Sequence, residues 1–266
     1  MTQPAPPETV GETAYRRIRT DIIFGVLRPG QKLKLERIGD IYNTSVSTLR
    51  ELLNRMSSEG LVVAEGQRGF EVAGVSADEF RQVASLRLLL ETHAMAQSFV
   101  AGDLEWEGRV VSAYHKLAVM ERRMLGGDRP DQELWKRCDW EFHHALISAC
   151  GSDVLLNVHA SIYDRYLRYQ MLAVVFRGEI AAREHQQLLD CALARDVTRA
   201  QDILLGHVNG CVDHALREDA AGLFGKLAKE LVPAARRVSK GSAEPRAKKS
   251  AAAAAKPARK TRNAKA

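Results

Sequence analysis

Four side chains in the second half of the chain have the types and spacing of a metal site. Asp139 and His143 are four residues apart in a helical pattern, and His185 and His207 follow in two later helical patterns. Residues four apart project from one face of a helix. Three imidazoles and one carboxylate suit Zn²⁺, Ni²⁺ or Mn²⁺ and leave positions open for water or a ligand. The spacing alone fits four unrelated surface or capping residues equally well, so both interpretations stay open here.

Two arginines are candidates for binding the carboxylate of a small organic acid. Arg87 is a lone cation in an apolar helical pattern, and Arg168 lies between Tyr166 and Tyr169. A guanidinium binds a carboxylate through two parallel hydrogen bonds. Arg87 can instead pair with Glu91 one turn later. Arg168 can instead stack on the neighbouring rings.

The other five histidines match no such spacing, and we expect them at surfaces or helix ends. They are His93, His115, His144, His159 and His214. His144 directly follows His143, but it points roughly 100° away around the helix.

The helices that would position the four candidate ligands lie after Ser76. Ser76 and Glu79 form a capping-box pattern, which marks the beginning of a helix. The periodicity predicts six helices, and the glycines and aspartates between them mark the breaks. These helices are expected at about 77–101, 105–125, 131–150, 153–173, 180–194 and 196–219. Six helices of this length predict an all-α bundle.

The N-terminal part has a different order of elements. Helical patterns at about 13–24, 36–42 and 46–58 precede a two-stranded ribbon at 61–73, and a Pro29-Gly30 turn follows the first helix. This order is typical of a winged helix-turn-helix, which places one helix in a DNA groove. The predicted fold is therefore mainly α, with a winged helix-turn-helix, a six-helix bundle and a disordered basic tail.

The helix that begins near Ser45 is the candidate DNA-reading helix. Arg50 lies one turn into it, where an arginine can bind a guanine edge or a phosphate. Hydroxyl groups at its beginning are suited to phosphates, and Arg68 at the ribbon tip can reach the minor groove. The candidate DNA-binding residues are Ser45, Ser47, Thr48, Arg50 and Arg68. The alternative is that these side chains lie on a solvent-exposed face and do not contact DNA.

Charge is distributed unevenly over the three parts of the chain. The net charge is +1 over residues 1–74, −5 over residues 75–233 and +10 over residues 234–266. The acidic middle part is therefore not expected to bind nucleic acid. We predict disorder over 1–10, a DNA-binding domain over 11–74, an effector-binding and dimerisation domain over 75–222, and a disordered Lys/Arg/Ala-rich tail over 234–266. That tail either tethers non-specific DNA or only keeps the chain soluble.

The cysteines and the N-terminus indicate a reducing, cytoplasmic location. The chain has four cysteines without a Cys-x-x-Cys pair, and we expect them to be reduced core thiols. Neither a signal-peptide pattern nor an apolar run of membrane-spanning length is present in the sequence.

Several motifs, in order and spacing, resemble the GntR family of bacterial regulators. The motifs are Leu27-Arg-Pro29-Gly30-Gln-Lys-Leu33, the helix pair that leads to Arg50-Glu51, Glu59-Gly60-Leu61-Val62 and Arg68-Gly69-Phe70. The six helices resemble the all-helical FCD effector domain of the FadR branch. One position departs from the family: Val46 stands where the family has an arginine, and this puts the usual operator sequence in doubt. The same region looks more like the carbon-starvation-induced, glutarate-responsive subgroup.

The resemblance implies a function for each part. Metal-binding members combine an Asp-x-x-x-His pattern with two later histidines, and Asp139, His143, His185 and His207 match all four positions. The implied protein is a homodimeric transcription factor, by default a repressor, which binds a double-stranded DNA operator and a small carboxylate effector at a divalent metal ion. It is not expected to be an enzyme. The alternatives are a helical-bundle metalloenzyme that acts on a small organic acid, and a dimeric helical scaffold that never touches DNA.

Overall fold

The computed structural model describes residues 9–66, 69–128, 131–173 and 176–217. It confirms the predicted fold class, a mainly helical chain with an N-terminal helix-turn-helix domain. Within this part of the chain no helix is long and apolar enough to cross a membrane. The predicted tail, the tip residue Arg68 and residues 1–8 lie outside the described residues.

The N-terminal domain contains three helices and three short strands. In chain order they are α1 Val10–Ile23, β1 Lys32–Leu33, α2 Leu35–Tyr42, α3 Val46–Ser58, β2 Val62–Ala64 and β3 Phe70–Val72. Helix α1 begins three residues before its predicted position because Thr9 caps it, accepting the Glu12 amide at 3.2 Å. Residues 9 and 10, at the end of the segment predicted to be disordered, belong to this cap and helix.

The wing is a three-stranded antiparallel sheet in the order β1-β3-β2, not the predicted two-stranded ribbon. No strand was predicted between the first two helices. Strand β3 pairs with β2, Val62 opposite Val72, and with β1, Lys32 opposite Glu71. The Gly30 amide also donates to the Val72 carbonyl at 2.9 Å, which holds β1 against the wing. A two-residue strand has too few residues to show alternation, so the sequence pattern did not predict it.

The turn between α2 and α3 has the geometry that a helix-turn-helix needs. Asn43 ends α2 with a left-handed φ of 51°, which asparagine tolerates. A β-carbon on Gly39 would lie 2.9 Å from the Thr44 carbonyl oxygen, so this close turn requires glycine. Ser45 then caps α3 by accepting the Thr48 amide at 3.1 Å.

The second domain is a bundle of six helices within the described residues, as predicted. They are α4 Ala77–Ala101, α5 Leu104–Leu125, α6 Gln132–Ile147, α7 Asp153–Ala173, α8 Glu179–Ala194 and α9 Val197–Arg217. The predicted cap is present, since Ser76 accepts the Glu79 amide at 3.1 Å. Asp103 and Asp131 cap α5 and α6 in the same way.

The two domains meet through α1 and α7. Ile23 of α1 packs in one buried cluster with Tyr163, Leu167 and Met171 of α7. Arg19 of α1 forms an ion pair with Asp164 of α7 beside this cluster. Helix α7 therefore has one side against the DNA-binding domain while its other side belongs to the core of the bundle.

Candidate metal centre and DNA-reading helix

Three of the four predicted metal ligands converge in the bundle core. His143 on α6, His185 on α8 and His207 on α9 each offer a ring nitrogen, and these atoms lie within 4.8 Å of one another. All three side chains are buried, at 4% exposure or less. After small side-chain adjustments, three rings placed in this way can bind a single ion. The nitrogen–metal distances would then be about 2 Å.

Asp139 lies beside the three histidines, as the sequence spacing predicted. Its Oδ1 is 3.5 Å from Nε2 of His185, and its Oδ2 accepts the Tyr163 hydroxyl at 2.8 Å. Burial by itself would raise the pKa of Asp139, but Lys136 and the nearby histidines hold that pKa well below its ordinary value. The carboxylate is therefore ionised and available as a ligand.

The hydrogen-bond inventory of the rings fits a bound cation. The Nε2 atoms of His143 and His185 are buried without a hydrogen-bond partner, while Nδ1 of His143 has Glu91 at 3.5 Å. Buried polar atoms in native proteins nearly always have a partner, so these two Nε2 atoms are suited to binding a cation. The donor set is hard to borderline in character, which suits Zn²⁺, Ni²⁺ or Mn²⁺.

Each of the three histidines also has a glutamate beside its Nδ1. Glu121 lies 2.7 Å from Nδ1 of His185, and Glu184 lies 2.8 Å from Nδ1 of His207. Glu91 is farther from Nδ1 of His143, at 3.5 Å. A carboxylate on Nδ1 fixes the ring and leaves Nε2 for a metal.

Sequence reasoning did not identify these three glutamates as part of the site. Glu184 precedes His185 directly, and this adjacency was the one available signal. Glu121 lies on α5, and its sequence position gives no indication of its partner.

Burial keeps two of the rings neutral. It is the main cause that lowers the pKa of His207 to about 3, and it also lowers the pKa of His143. Neutral imidazole is the form that binds metals. His207 is therefore in the ligating form well below neutral pH, and burial favours the same neutral form of His143.

Arg87 adjoins this centre through Glu91 rather than through the histidines. Its Nε donates to Glu91 at 2.8 Å, and its guanidinium lies 4.5 Å from the centroids of the Tyr163 and Tyr166 rings. The ion pair with Glu91, one of the two interpretations of the sequence, is thus present. Because Glu91 also lies 2.6 Å from Nε2 of His159 and 3.5 Å from Nδ1 of His143, Arg87 belongs to a buried network that reaches the histidine cluster.

Two sequence expectations do not match the positions in the structure. Arg168 donates to the main-chain carbonyls of Ala73 and Gly74, so it binds the connection between the domains and not the histidine cluster. His159 was expected at a surface or helix end but is fully buried. Its partner Glu91 is 68 residues away in sequence, a distance over which local spacing indicates nothing.

Four of the five predicted DNA-binding residues lie together at the beginning of α3, and the fifth, Arg68, is outside the described residues. Ser45, Ser47 and Arg50 are exposed, Thr48 is half-buried, and Leu49 and Leu53 turn the opposite face into the domain core. The Ser45 hydroxyl contacts those of Ser47 and Thr48 at 2.9 Å. Among the described residues no ion-pair partner of Arg50 occurs, so its guanidinium is available to a ligand.

Comparison with known proteins agrees with this two-part architecture. Residues 10–72 match the family described as "Bacterial regulatory proteins, gntR family", and residues 82–210 match the FCD domain. The HTH-type transcriptional regulator BphR of Paraburkholderia xenovorans LB400 is 36% identical over 203 residues, which span 76% of this chain and 83% of BphR. This chain belongs to the GntR family of transcriptional regulators.

A second relative and two solved structures extend the comparison of this GntR-family regulator. The transcriptional repressor GlaR of Escherichia coli K12 is 30% identical over 200 residues, 73% of this chain and 90% of GlaR. Escherichia coli McbR/YncC shares the fold, with a TM-score of 0.68 at 16% identity, over 80% of this chain and 99% of that protein. A GntR-type regulator from Rhodococcus sp. RHA1 has a TM-score of 0.64 at 21% identity, over 78% of this chain and 97% of that protein.

The family assignment decides between the functional classes. The GntR-family chain is a DNA-binding transcriptional regulator with an FCD domain, and its matched relatives are regulators rather than enzymes. The metalloenzyme and the scaffold that never touches DNA are therefore set aside.

Proposed function

We propose that this GntR-family regulator is a repressor whose operator affinity is controlled by a small carboxylate bound at a divalent metal ion. Asp139, His143, His185 and His207 would hold the ion. The proposal is carried by the unpaired ring nitrogens of His143 and His185, which are buried within the cluster of three histidines. When bound, the ion supplies a Lewis-acidic centre with open positions for an oxygen ligand.

The surrounding charges favour an anionic effector once the ion is present. Asp139 and the three glutamates are four buried or half-buried carboxylates, and Arg87, Lys136 and Arg177 are three cations close to them. A divalent ion would bring this group of charges to a net positive value, which one carboxylate of a metabolite can balance. Arg87 is the proposed effector-side cation. Arg168 is not assigned to this site because its two terminal nitrogens donate to the main-chain carbonyls of Ala73 and Gly74.

The proposed site has a direct connection to the DNA-binding domain. Tyr163 donates to Asp139 and also packs in the cluster that contains Ile23 of α1. A change in the position of Asp139 on effector binding would therefore alter the contact between the domains. Coupling of this kind is a free energy shared by two sites, so effector and operator would each change the affinity for the other.

Two copies of the chain would bind one operator. A two-fold protein dimer places two recognition helices in successive major grooves, and this matches a roughly palindromic site. The α3 residues Ser45, Ser47, Thr48 and Arg50 would make the contacts in each half-site, with Arg68 in the wing. Repression is the expected direction because the relative GlaR is a repressor.

Metal analysis tests the proposal most directly. We would measure bound metal in the wild type, in the variant His143→Ala/His207→Ala and in the control variant His93→Ala/His115→Ala, whose histidines are exposed. A thermal-shift screen with dicarboxylates and hydroxy acids would follow on all three proteins.

We expect the wild type and the control variant to contain stoichiometric metal and to be stabilised by one class of acid. The variant His143→Ala/His207→Ala should show neither. Operator affinity of the wild type and the control would then fall on addition of that acid. Absence of metal from the wild type, or equal metal in the cluster variant, would refute the proposed effector site and leave only the DNA-binding assignment.

A further inference from the structure

Arg177, which the proposed function counts only as a nearby cation, has its side chain against the histidine cluster. It lies between α7 and α8, and its side chain is 8% exposed. One guanidinium nitrogen, Nη2, forms an ion pair with Glu184 and donates to the main-chain carbonyl of His207 at 3.1 Å. Its Nε is buried without a partner. A buried guanidinium is costly, so its position indicates a role in what it contacts.

Glu184 links Arg177 to the ring of His207. Its Oε2 lies 2.8 Å from Nδ1 of His207, while Nη2 of Arg177 lies 3.2 Å from the same nitrogen. The two contacts require opposite tautomers. A guanidinium can only donate, so it would leave the ring proton on Nε2, whereas the carboxylate accepts from Nδ1–H and leaves the lone pair on Nε2. The shorter contact favours the second tautomer, which can bind a metal through Nε2.

Gly210 on α9 makes room for this guanidinium. A β-carbon at this position would lie 2.6 Å from Nη1 and 3.2 Å from Cζ of Arg177. Glycine in a helix interior lowers helix stability compared with alanine, and at position 210 it leaves the space that the guanidinium occupies. Gly206, one turn earlier on the same helix, has no atom within 4 Å of such a β-carbon.

We propose that Arg177, Glu184 and Gly210 form a positioning unit for His207. Glu184 holds the ring in the tautomer that exposes Nε2 to the metal, Arg177 holds the Glu184 carboxylate, and Gly210 leaves the space that Arg177 needs. The unit rests on the proposed function, since His207 is a metal ligand there. Carboxylates that orient metal-binding histidines contribute about 10-fold to 100-fold to metal affinity.

A pair of glycine variants tests the steric part. Gly210→Ala is expected to displace Arg177 and to weaken Zn²⁺ binding about 10-fold or more in a chelator competition. Gly206→Ala makes the same chemical change on the same helix, and it is expected to keep wild-type affinity with an equal or higher melting temperature. Equal Zn²⁺ affinity in both folded variants would overturn the role of Gly210 and Arg177.

A second variant tests the tautomer without any metal. In the metal-free protein, the ¹⁵N shifts of the His207 ring should show the Nδ1–H form. In Glu184→Met the remaining polar neighbour of Nδ1 is Arg177, so the ring should change to the Nε2–H form and Zn²⁺ affinity should fall. Glu141→Met is the control. It removes a glutamate that accepts from Lys116 at 2.9 Å and has no contact with His207, so it should change neither the tautomer nor the Zn²⁺ affinity.

The outcomes separate this inference from the proposed function. If the wild type binds no Zn²⁺, the proposed metal centre fails. If the wild type binds Zn²⁺ but Glu184→Met retains both the Nδ1–H tautomer and the affinity, only the positioning unit fails. If Gly210→Ala does not fold, the Glu184→Met result by itself decides whether the positioning unit exists.

Discussion

The hydroxyl of Tyr163 donates a 2.8 Å hydrogen bond to Asp139, which makes this tyrosine a direct link between the candidate metal centre and the DNA-binding domain. Its ring packs in the same buried cluster as Ile23 of α1. One side chain thus contacts a proposed metal ligand with its polar end and the domain contact with its apolar part.

The variant Tyr163→Phe removes the polar contact and keeps the ring. We expect weaker metal binding, by about 10-fold or more, because Asp139 loses a partner that orients it. Chelator competition would measure the change. Tyr166→Phe is the matched control, since that buried hydroxyl has long contacts, at 3.4 Å each, with the Val208 carbonyl and the Gln170 side-chain amide. Equal losses in the two variants would contradict a specific role for Tyr163.

Removal of Arg87 should affect stability even in the absence of any effector. Arg87→Ala leaves the buried Glu91 carboxylate without its main cation, and breaking a buried ion pair in this way costs about 3–5 kcal/mol. Urea denaturation of the metal-free protein would measure this loss. Unchanged stability together with a lost effector response would show that Arg87 serves the effector alone.

Asp164 should make the domain contact sensitive to pH. Burial outweighs the effect of Arg19 and raises the pKa of Asp164 to about 6, from an ordinary value of 3.8. Between these values the native protein retains a proton that the unfolded chain has lost, so its contribution to stability falls as the pH rises. The full shift corresponds to about 3 kcal/mol.

The variant Asp164→Asn should remove this contribution. We expect the wild type to lose stability relative to the variant as the pH rises from about 4 to about 6, the window between the two pKa values. Urea midpoints at several pH values would give the difference directly. Parallel pH curves for the two proteins would mean that the pKa of Asp164 is not raised in the native state.

DNA binding should depend on Arg50. Arg50→Ala is expected to weaken binding to the specific operator by about 1–3 kcal/mol. Fluorescence anisotropy with operator and unrelated duplexes would separate specific from general binding. Arg81→Ala is the control, because Arg81 is an exposed arginine at the beginning of α4, paired with Asp78. A footprint and affinity unchanged in Arg50→Ala would mean that α3 is not the recognition helix.

The order and type of the helices follow from local properties that the sequence contains. Apolar residues recur with helical period, and caps such as Ser45 and Ser76 lie at the helix beginnings where their hydroxyls accept free amides. The face shared by Asp139 and His143 also follows from helix geometry. These features depend on neighbours a few residues apart, and for that reason the sequence alone predicted them.

The partners of the site residues depend on the tertiary structure. Glu121, Glu184 and Glu91 stand beside the three histidines because separate helices pack together, and strand β1 joins the wing only because β3 returns beside it. Arg168 and His159 acquire their contacts in the same way, from residues 94 and 68 positions away. Sequence motifs therefore determined which residues belong to the candidate site, while packing between distant segments decided which groups orient them.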